Sequence, residues 1–135
     1  MSNLTRILHV DDDEDIRTIA NLALEMVGNF ELMQCASGSE AIAQIAEFAP
    51  DLVLLDYMMP VMNGGETLNE IRKIPGYADV PSVFMTARLQ EELVQELLDK
   101  GAWGVIRKPF DPMTLADDIR AIWAKGPTKV PEPQF

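Results

Sequence analysis

Leu52-Val53-Leu54-Leu55 runs apolar for four residues and then meets a carboxylate, Asp56. A half-buried strand alternates apolar and polar side chains, whereas this run presents apolar groups to both faces. A strand of that kind sits in the middle of a sheet covered on both sides, the usual setting of parallel strands. Nearer the N-terminus, Ile7-Leu8-His9-Val10 repeats the pattern and delivers Asp11, Asp12 and Asp13. Strands are predicted at Arg6–Val10, Glu31–Cys35, Leu52–Leu55, Ser82–Met85 and Gly104–Arg107.

Helical patterns fill the intervals. Ile16, Ile19, Ala20, Ala23, Leu24 and Val27 fall on one helical face, and Gly28-Asn29 supplies a stop. A second helix opens at Ser37-Gly38-Ser39 and is expected to bury Ala41, Ile42, Ile45 and Ala46. Three more are marked by Thr67–Ile71, by Leu93, Val94, Leu97 and Leu98, and by Leu115, Ile119, Ile122 and Trp123. Five βα units in about 120 residues predict an α/β fold with helices on both faces of a parallel sheet.

The chain has 135 residues, enough for one domain with a single core. That domain is expected over residues 4–125. The segment 126–135 holds three of the nine prolines and reads as an extended tail or linker. Against 11 basic residues stand 22 acidic ones, a net charge of −11. Binding to nucleic acid needs a basic footprint, so this domain is not expected to contact it directly. No apolar stretch approaches the ~18 residues of a membrane span, and the N-terminus lacks an apolar signal region. A single cysteine, Cys35, excludes an internal disulfide and suits a reducing, cytoplasmic setting.

Ligands of open parallel sheets bind beyond the carboxyl ends of the strands. Those ends carry Asp11 and Asp12 after the first strand, Asp56 after the third, Thr86 after the fourth and Lys108 after the fifth. Carboxylates about 5 Å apart repel by roughly 3 kcal/mol at an effective dielectric near 20, so such a cluster needs a counter-charge. Three carboxylates sum to −3, which one Mg²⁺ and the lysine would bring to zero. Oxygen ligands with no His or Cys among them favour Mg²⁺ over zinc. Asp56 is then the candidate nucleophile, able to take a phosphoryl group as an acyl phosphate. Thr86 and Lys108 are the candidates to stabilise the transferring group.

The ordinary readings hold elsewhere. Asp13 suits a helix cap. His9 suits a packed strand residue rather than a phosphate carrier, and Asn63-Gly64-Gly65 suits a turn. Thr86 and Lys108 would each be unremarkable alone; their positions at successive strand ends single them out.

Taken together, Ile7–Asp13, Pro50–Pro60 with Asn63-Gly64, Met85-Thr86-Ala87 and Lys108-Pro109-Phe110 resemble the receiver domains of two-component response regulators. The resemblance covers roughly residues 5 to 124, and the four pieces occur in order at matching spacings. It implies a flavodoxin-like (βα)5 three-layer sandwich with a central five-stranded parallel sheet. Asp56 would be the phosphoacceptor, served by a histidine kinase or histidine phosphotransfer protein and answering to a downstream protein target. Mg²⁺ would be held by Asp12 and Asp56 directly, by Asp11 through water and by the backbone carbonyl of Met58. Thr86 and Lys108 would contact the phosphoryl group, Lys108-Pro109 would be cis, and Ala87 would keep the approach open.

The face built by the fourth helix, fifth strand and fifth helix is the expected output surface and a candidate homodimer contact. The chain departs from the family where many relatives carry a switching aromatic residue, because Val105 stands there and Trp103 is two residues early. Turnover of external substrates is not expected, since aspartyl phosphatases carry a second acid where this chain has Met58. A flavin site is disfavoured by the acids after the first strand. Met58 and Arg88 should flank the path of a hydrolytic water without orienting it, so slow self-dephosphorylation is expected.

Overall fold

The first strand, β1 (Arg6–Val10), is followed by β2 (Glu31–Cys35), β3 (Leu52–Asp56), β4 (Ser82–Thr86) and β5 (Gly104–Arg107). Their order across the sheet is β2-β1-β3-β4-β5, and every neighbouring pair is parallel. The computed structural model describes residues 3–88 and 90–127, so most of the expected proline-rich tail lies outside the described residues. Between the strands run α1 (Glu14–Asn21), α2 (Gly38–Phe48), α3 (Gly64–Arg72) and α4 (Glu91–Asp99), and α5 (Leu115–Lys125) follows β5.

Strand alternation divides the core in two. Val53 and Leu55 of β3 pack with Ala41, Ile45 and Phe48 of α2, Leu68 and Ile71 of α3, and Leu97 of α4. Leu52 and Leu54 pack on the opposite face with Ala23 and Leu24, and with Leu115, Ala116 and Ile119 of α5. All of β3 and β4 is buried, as strands covered on both faces must be. The result is the expected three-layer sandwich.

Two details of the helical reading differ. Straight after α1 the chain widens into a π-helical stretch, Leu22–Val27, whose bonds run from residue i to i+5. That change turns the later side chains away from the 3.6-residue face, so Val27 is exposed instead of packed; Ile19, which precedes the stretch, is exposed as well. In α2, Ala46 is exposed and Phe48 takes the buried place one turn from Ile45.

Register is what builds the site. Val10 lies opposite Leu55, Asp56 opposite Met85 and Thr86 opposite Arg107. One step past these pairs, Asp11, Asp56, Thr86 and Lys108 emerge along the same rim. Asn63-Gly64-Gly65 is not a free turn: Asn63 caps α3 in a reciprocal pairing with Glu66, and both glycines start the helix. Gly64 is required there, because a Cβ would stand 2.5 Å from the Asp56 carbonyl oxygen and 3.0 Å from Tyr57 Cα. Both obstacles are backbone, so neither can swing aside. Gly64→Ala should cost about 1–3 kcal/mol by overpacking, measured by urea unfolding; an unchanged midpoint and slope would contradict the contact.

Candidate functional site

Asp11 is fully buried and its carboxylate is divided between two partners. Oδ1 accepts the Asp13 backbone N–H at 2.9 Å, and Oδ2 accepts Lys108 Nζ at 3.1 Å. The same Lys108 nitrogen stands 3.2 Å from Asp56 Oδ1, so one ammonium bridges both buried acids. Asp12, the next residue, is exposed at the bend that follows β1. Even so, Asp11, Asp12 and Asp56 each offer an oxygen, and these three oxygens lie within 4.8 Å of one another.

The charges shift one another. Burial pushes the Asp56 carboxyl up to about 6; the Asp11 charge adds to the rise, while Lys108 and the Met58 amide oppose it. Burial works to lower the Lys108 pKa, but the hydrogen bonds and charges of Asp11 and Asp56 outweigh it and the net shift is upward. Lys108 therefore stays an ammonium.

Thr86 closes β4 and is buried; its Oγ1 accepts the Arg88 backbone N–H at 3.0 Å. The Lys108 backbone N–H donates to the Thr86 carbonyl at 2.9 Å, which ties the last two strand ends together. Lys108-Pro109 is cis, as the resemblance implied. Met58 contributes its amide beside the Asp56 carboxylate, and its side chain is largely exposed. Asp13 caps α1 through the backbone N–H groups of Asp15 and Ile16, the ordinary role expected of it.

The acids suit a hard divalent cation. They bring carboxylate oxygens alone, close together, with a deficit of positive charge that one lysine does not cover. One set of polar groups below the rim went unread in the sequence. His9 is enclosed within β1, and Gln34 and Arg17 surround it. Its signal was spacing: two residues before Asp11 in a strand, it must share that residue's side of the sheet. Burial first, then the charges of Lys108 and Arg17, lower the His9 pKa to about 3, so the ring is neutral.

The sequence profile of the response regulator receiver domain matches residues 7–120. The chain belongs to that family. PhoB, the phosphate regulon transcriptional regulatory protein of Pseudomonas aeruginosa, is 35% identical over 116 residues, 86% of this chain and 50% of PhoB. The DNA-binding response regulator MtrA of Mycolicibacterium smegmatis is 38% identical over 116 residues, 86% of this chain and 49% of MtrA. The receiver chain thus spans about half the length of these curated relatives. Among solved structures, the chemotaxis protein CheY4 of Vibrio cholerae superposes with a TM-score of 0.81 at 32% identity, covering 89% of this chain and 99% of that one. Receiver domains are signalling modules of two-component systems, with the flavodoxin-like arrangement found here.

The raised Asp56 pKa sets a pH dependence. A carboxyl whose folded pKa exceeds its unfolded value binds more protons when folded, so its ionisation removes stability as pH climbs from about 4 through 6. In metal-free buffer at pH 8, Asp56→Asn should be more stable than wild type by about 1–3 kcal/mol. The gain should shrink as pH falls and vanish below about pH 3, where the wild-type carboxyl is protonated in both states. Thermal unfolding across this range checks it; a gain independent of pH would show that the Asp56 charge is not the cause.

Proposed function

We propose that Asp56 is the phosphoacceptor of this receiver domain, taking a phosphoryl group from the phosphohistidine of a sensor kinase or histidine phosphotransfer protein. The observation that carries this reading is the Lys108 bridge between two buried carboxylates, 3.1 Å from Asp11 and 3.2 Å from Asp56. A buried acid pair held at that cost is weak support for stability and better understood as a site for added negative charge.

An Asp56 oxygen attacks phosphorus, the bond from phosphorus to the donor imidazole nitrogen breaks, and an aspartyl phosphate is left. Lys108 remains charged throughout and turns its ammonium toward the phosphoryl oxygens. Thr86 accepts at its oxygen from Arg88, so its hydroxyl hydrogen is free to donate to the group. Asp12 and Asp56 would hold Mg²⁺ directly, with Asp11 through water and the Met58 carbonyl as further ligands, and the bound cation would supply positive charge to the transferring group.

The regulated unit is the domain over residues 4–125, followed by a linker or tail from 126. Its setting is the cytoplasm, where the buried Cys35 thiol remains reduced. Among the described residues no helix is long and apolar enough to cross a membrane. The domain acts by contact with a downstream protein and not by direct contact with nucleic acid, which a net charge of −11 disfavours. The surface that changes is that of α4, β5 and α5, also the proposed homodimer contact. It does not turn over external substrates.

With Mg²⁺, acetyl phosphate should add one phosphoryl group to wild type and none to Asp56→Asn. Asp12→Ala should abolish labelling at millimolar Mg²⁺. Equal labelling of Asp56→Asn and wild type, read by intact mass, would overturn the assignment.

The acyl phosphate should also be long-lived, because the exposed Met58 and Arg88 carry no carboxylate or amide to orient an attacking water. Met58→Asn combined with Arg88→Glu should shorten its lifetime roughly tenfold or more, within the range expected for a positioned general base. The decay of phosphorylated protein measures this, and an unchanged or longer lifetime would remove the explanation.

A further inference from the structure

His9 lies beneath the acidic rim, wholly enclosed, and no step of the proposed chemistry uses it. Gln34 Nε2 stands 2.8 Å from the Arg17 carbonyl oxygen and 3.1 Å from His9 Nδ1. A carbonyl oxygen only accepts, so that Gln34 atom is the amide nitrogen and its second hydrogen faces Nδ1. Nδ1 is therefore an acceptor, and the neutral ring carries its proton on Nε2. Among the described residues this Nε2–H has no hydrogen-bond partner. The oxygen it faces is Asp11 Oδ2 at 4.0 Å, the same atom that Lys108 holds at 3.1 Å. Buried donors are nearly always satisfied, and the exceptions call for an explanation.

From this geometry we infer that His9 is a positioning residue, a neutral N–H donor that takes Asp11 Oδ2 when Lys108 turns to a phosphoryl group on Asp56. The inference rests on the role proposed for Asp56. In the unmodified site one ammonium serves both acids. A phosphoryl group brings additional negative charge and three strong acceptor oxygens, and it competes for that ammonium. Asp11 Oδ2 then loses its cation while remaining buried. A closure of about 1 Å brings Nε2–H to ordinary hydrogen-bond distance and replaces the lost partner. His9 passes no proton and does not touch the phosphoryl group; it acts through Asp11. Gln34 and the Arg17 carbonyl fix the tautomer that makes this possible, much as outer partners fix the histidines of metal sites.

The test compares the full 135-residue wild type with His9→Phe and His9→Gln. Phenylalanine keeps the bulk without a donor, and glutamine returns an amide N–H near the Nε2 position. Isothermal titration calorimetry reads the affinity for beryllium fluoride with Mg²⁺, and urea unfolding in chelator reads the stability of the free protein. Long-range ¹H–¹⁵N spectra read the imidazole tautomer. His9→Phe should bind beryllium fluoride about tenfold more weakly, the scale of one hydrogen bond to a charged group. Its free-state stability should not fall in parallel, and His9→Gln should recover most of the affinity. The wild-type ring should be protonated on Nε2, with that proton moving downfield on beryllium fluoride binding. Unchanged affinity in His9→Phe, a proton on Nδ1, or equal losses of affinity and free-state stability would each overturn the inference. A wild type that binds no beryllium fluoride would instead remove the phosphoacceptor reading, and this inference with it. Should His9→Phe fail to fold, the wild-type spectra and His9→Gln still decide the matter.

Discussion

One ammonium between two buried carboxylates sets the terms for the rest of the molecule. Lys108 and Asp11 are 97 positions apart in sequence and meet only because the strand order brings β1 and β5 to one rim. Without that lysine, Asp11 and Asp56 would face each other across a few ångströms with little water to screen them. With it they coexist, although burial and the Asp11 charge still leave the Asp56 pKa raised. The burial of β3 on both faces is what denies these acids solvent. Core packing and site electrostatics are therefore one constraint: the more completely β3 is covered, the more its terminal carboxylate depends on Lys108.

Most of this was legible in the sequence because strand ends are written in hydrophobicity. Unbroken apolar runs such as Leu52–Leu55 fix a central strand, and the first charged residue afterwards names the rim. Asp11, Asp12, Asp56, Thr86 and Lys108 could all be placed in that way. The helical details were harder. The π-helical stretch Leu22–Val27 shifts the facing of side chains without any breaker residue inside it, and a 3.6-residue template has no means of registering the change. Gly64 looked like part of a turn because a glycine's reason lies in its neighbour, here the Asp56 carbonyl that leaves no room for a Cβ. His9 was read correctly as packed, but its partners Gln34 and Arg17 come from other elements, and only the fold brings them together.

The site is asymmetric about Asp56 in a way that suits its proposed role. On one side Asp11 is buried and fastened by the Asp13 amide, by Lys108 and through its carbonyl by Arg17. On the other, Asp12 is exposed and Met58 lies open to solvent. A rigid floor with an open mouth admits a large donor, such as a histidine on another protein, while holding the accepting oxygen in place. In the proposed role, the exposed Met58 and Arg88 beside that mouth carry no carboxylate or amide to steer water, which would suit a phosphoryl carrier better than a phosphatase.

Val105 stands where many receiver domains carry an aromatic switch, so a signal from Asp56 to the proposed output surface of α4, β5 and α5 would need another route. The backbone supplies one. The Thr86 carbonyl accepts from the Lys108 amide, while the Thr86 hydroxyl oxygen accepts from the Arg88 amide. The loops after β4 and β5 are thereby joined at the very residues expected to grip a phosphoryl group. If Thr86 turns its hydroxyl toward added phosphate, the hold on Arg88 changes and the start of α4 is released or redrawn. If Lys108 swings, the β5–α5 connection moves with it. Both displacements arise from hydrogen bonds already in place, and neither requires a side chain at position 105 to move. Val105 is half-buried and packed against the core cluster below α4, so under the proposed function it could pass on such a shift by contact alone. A valine has no polar end to exchange between water and interior, which removes one source of free-energy difference between the two states. Under the proposed function, populations would then rest on the phosphoryl group's differential hold on Thr86 and Lys108.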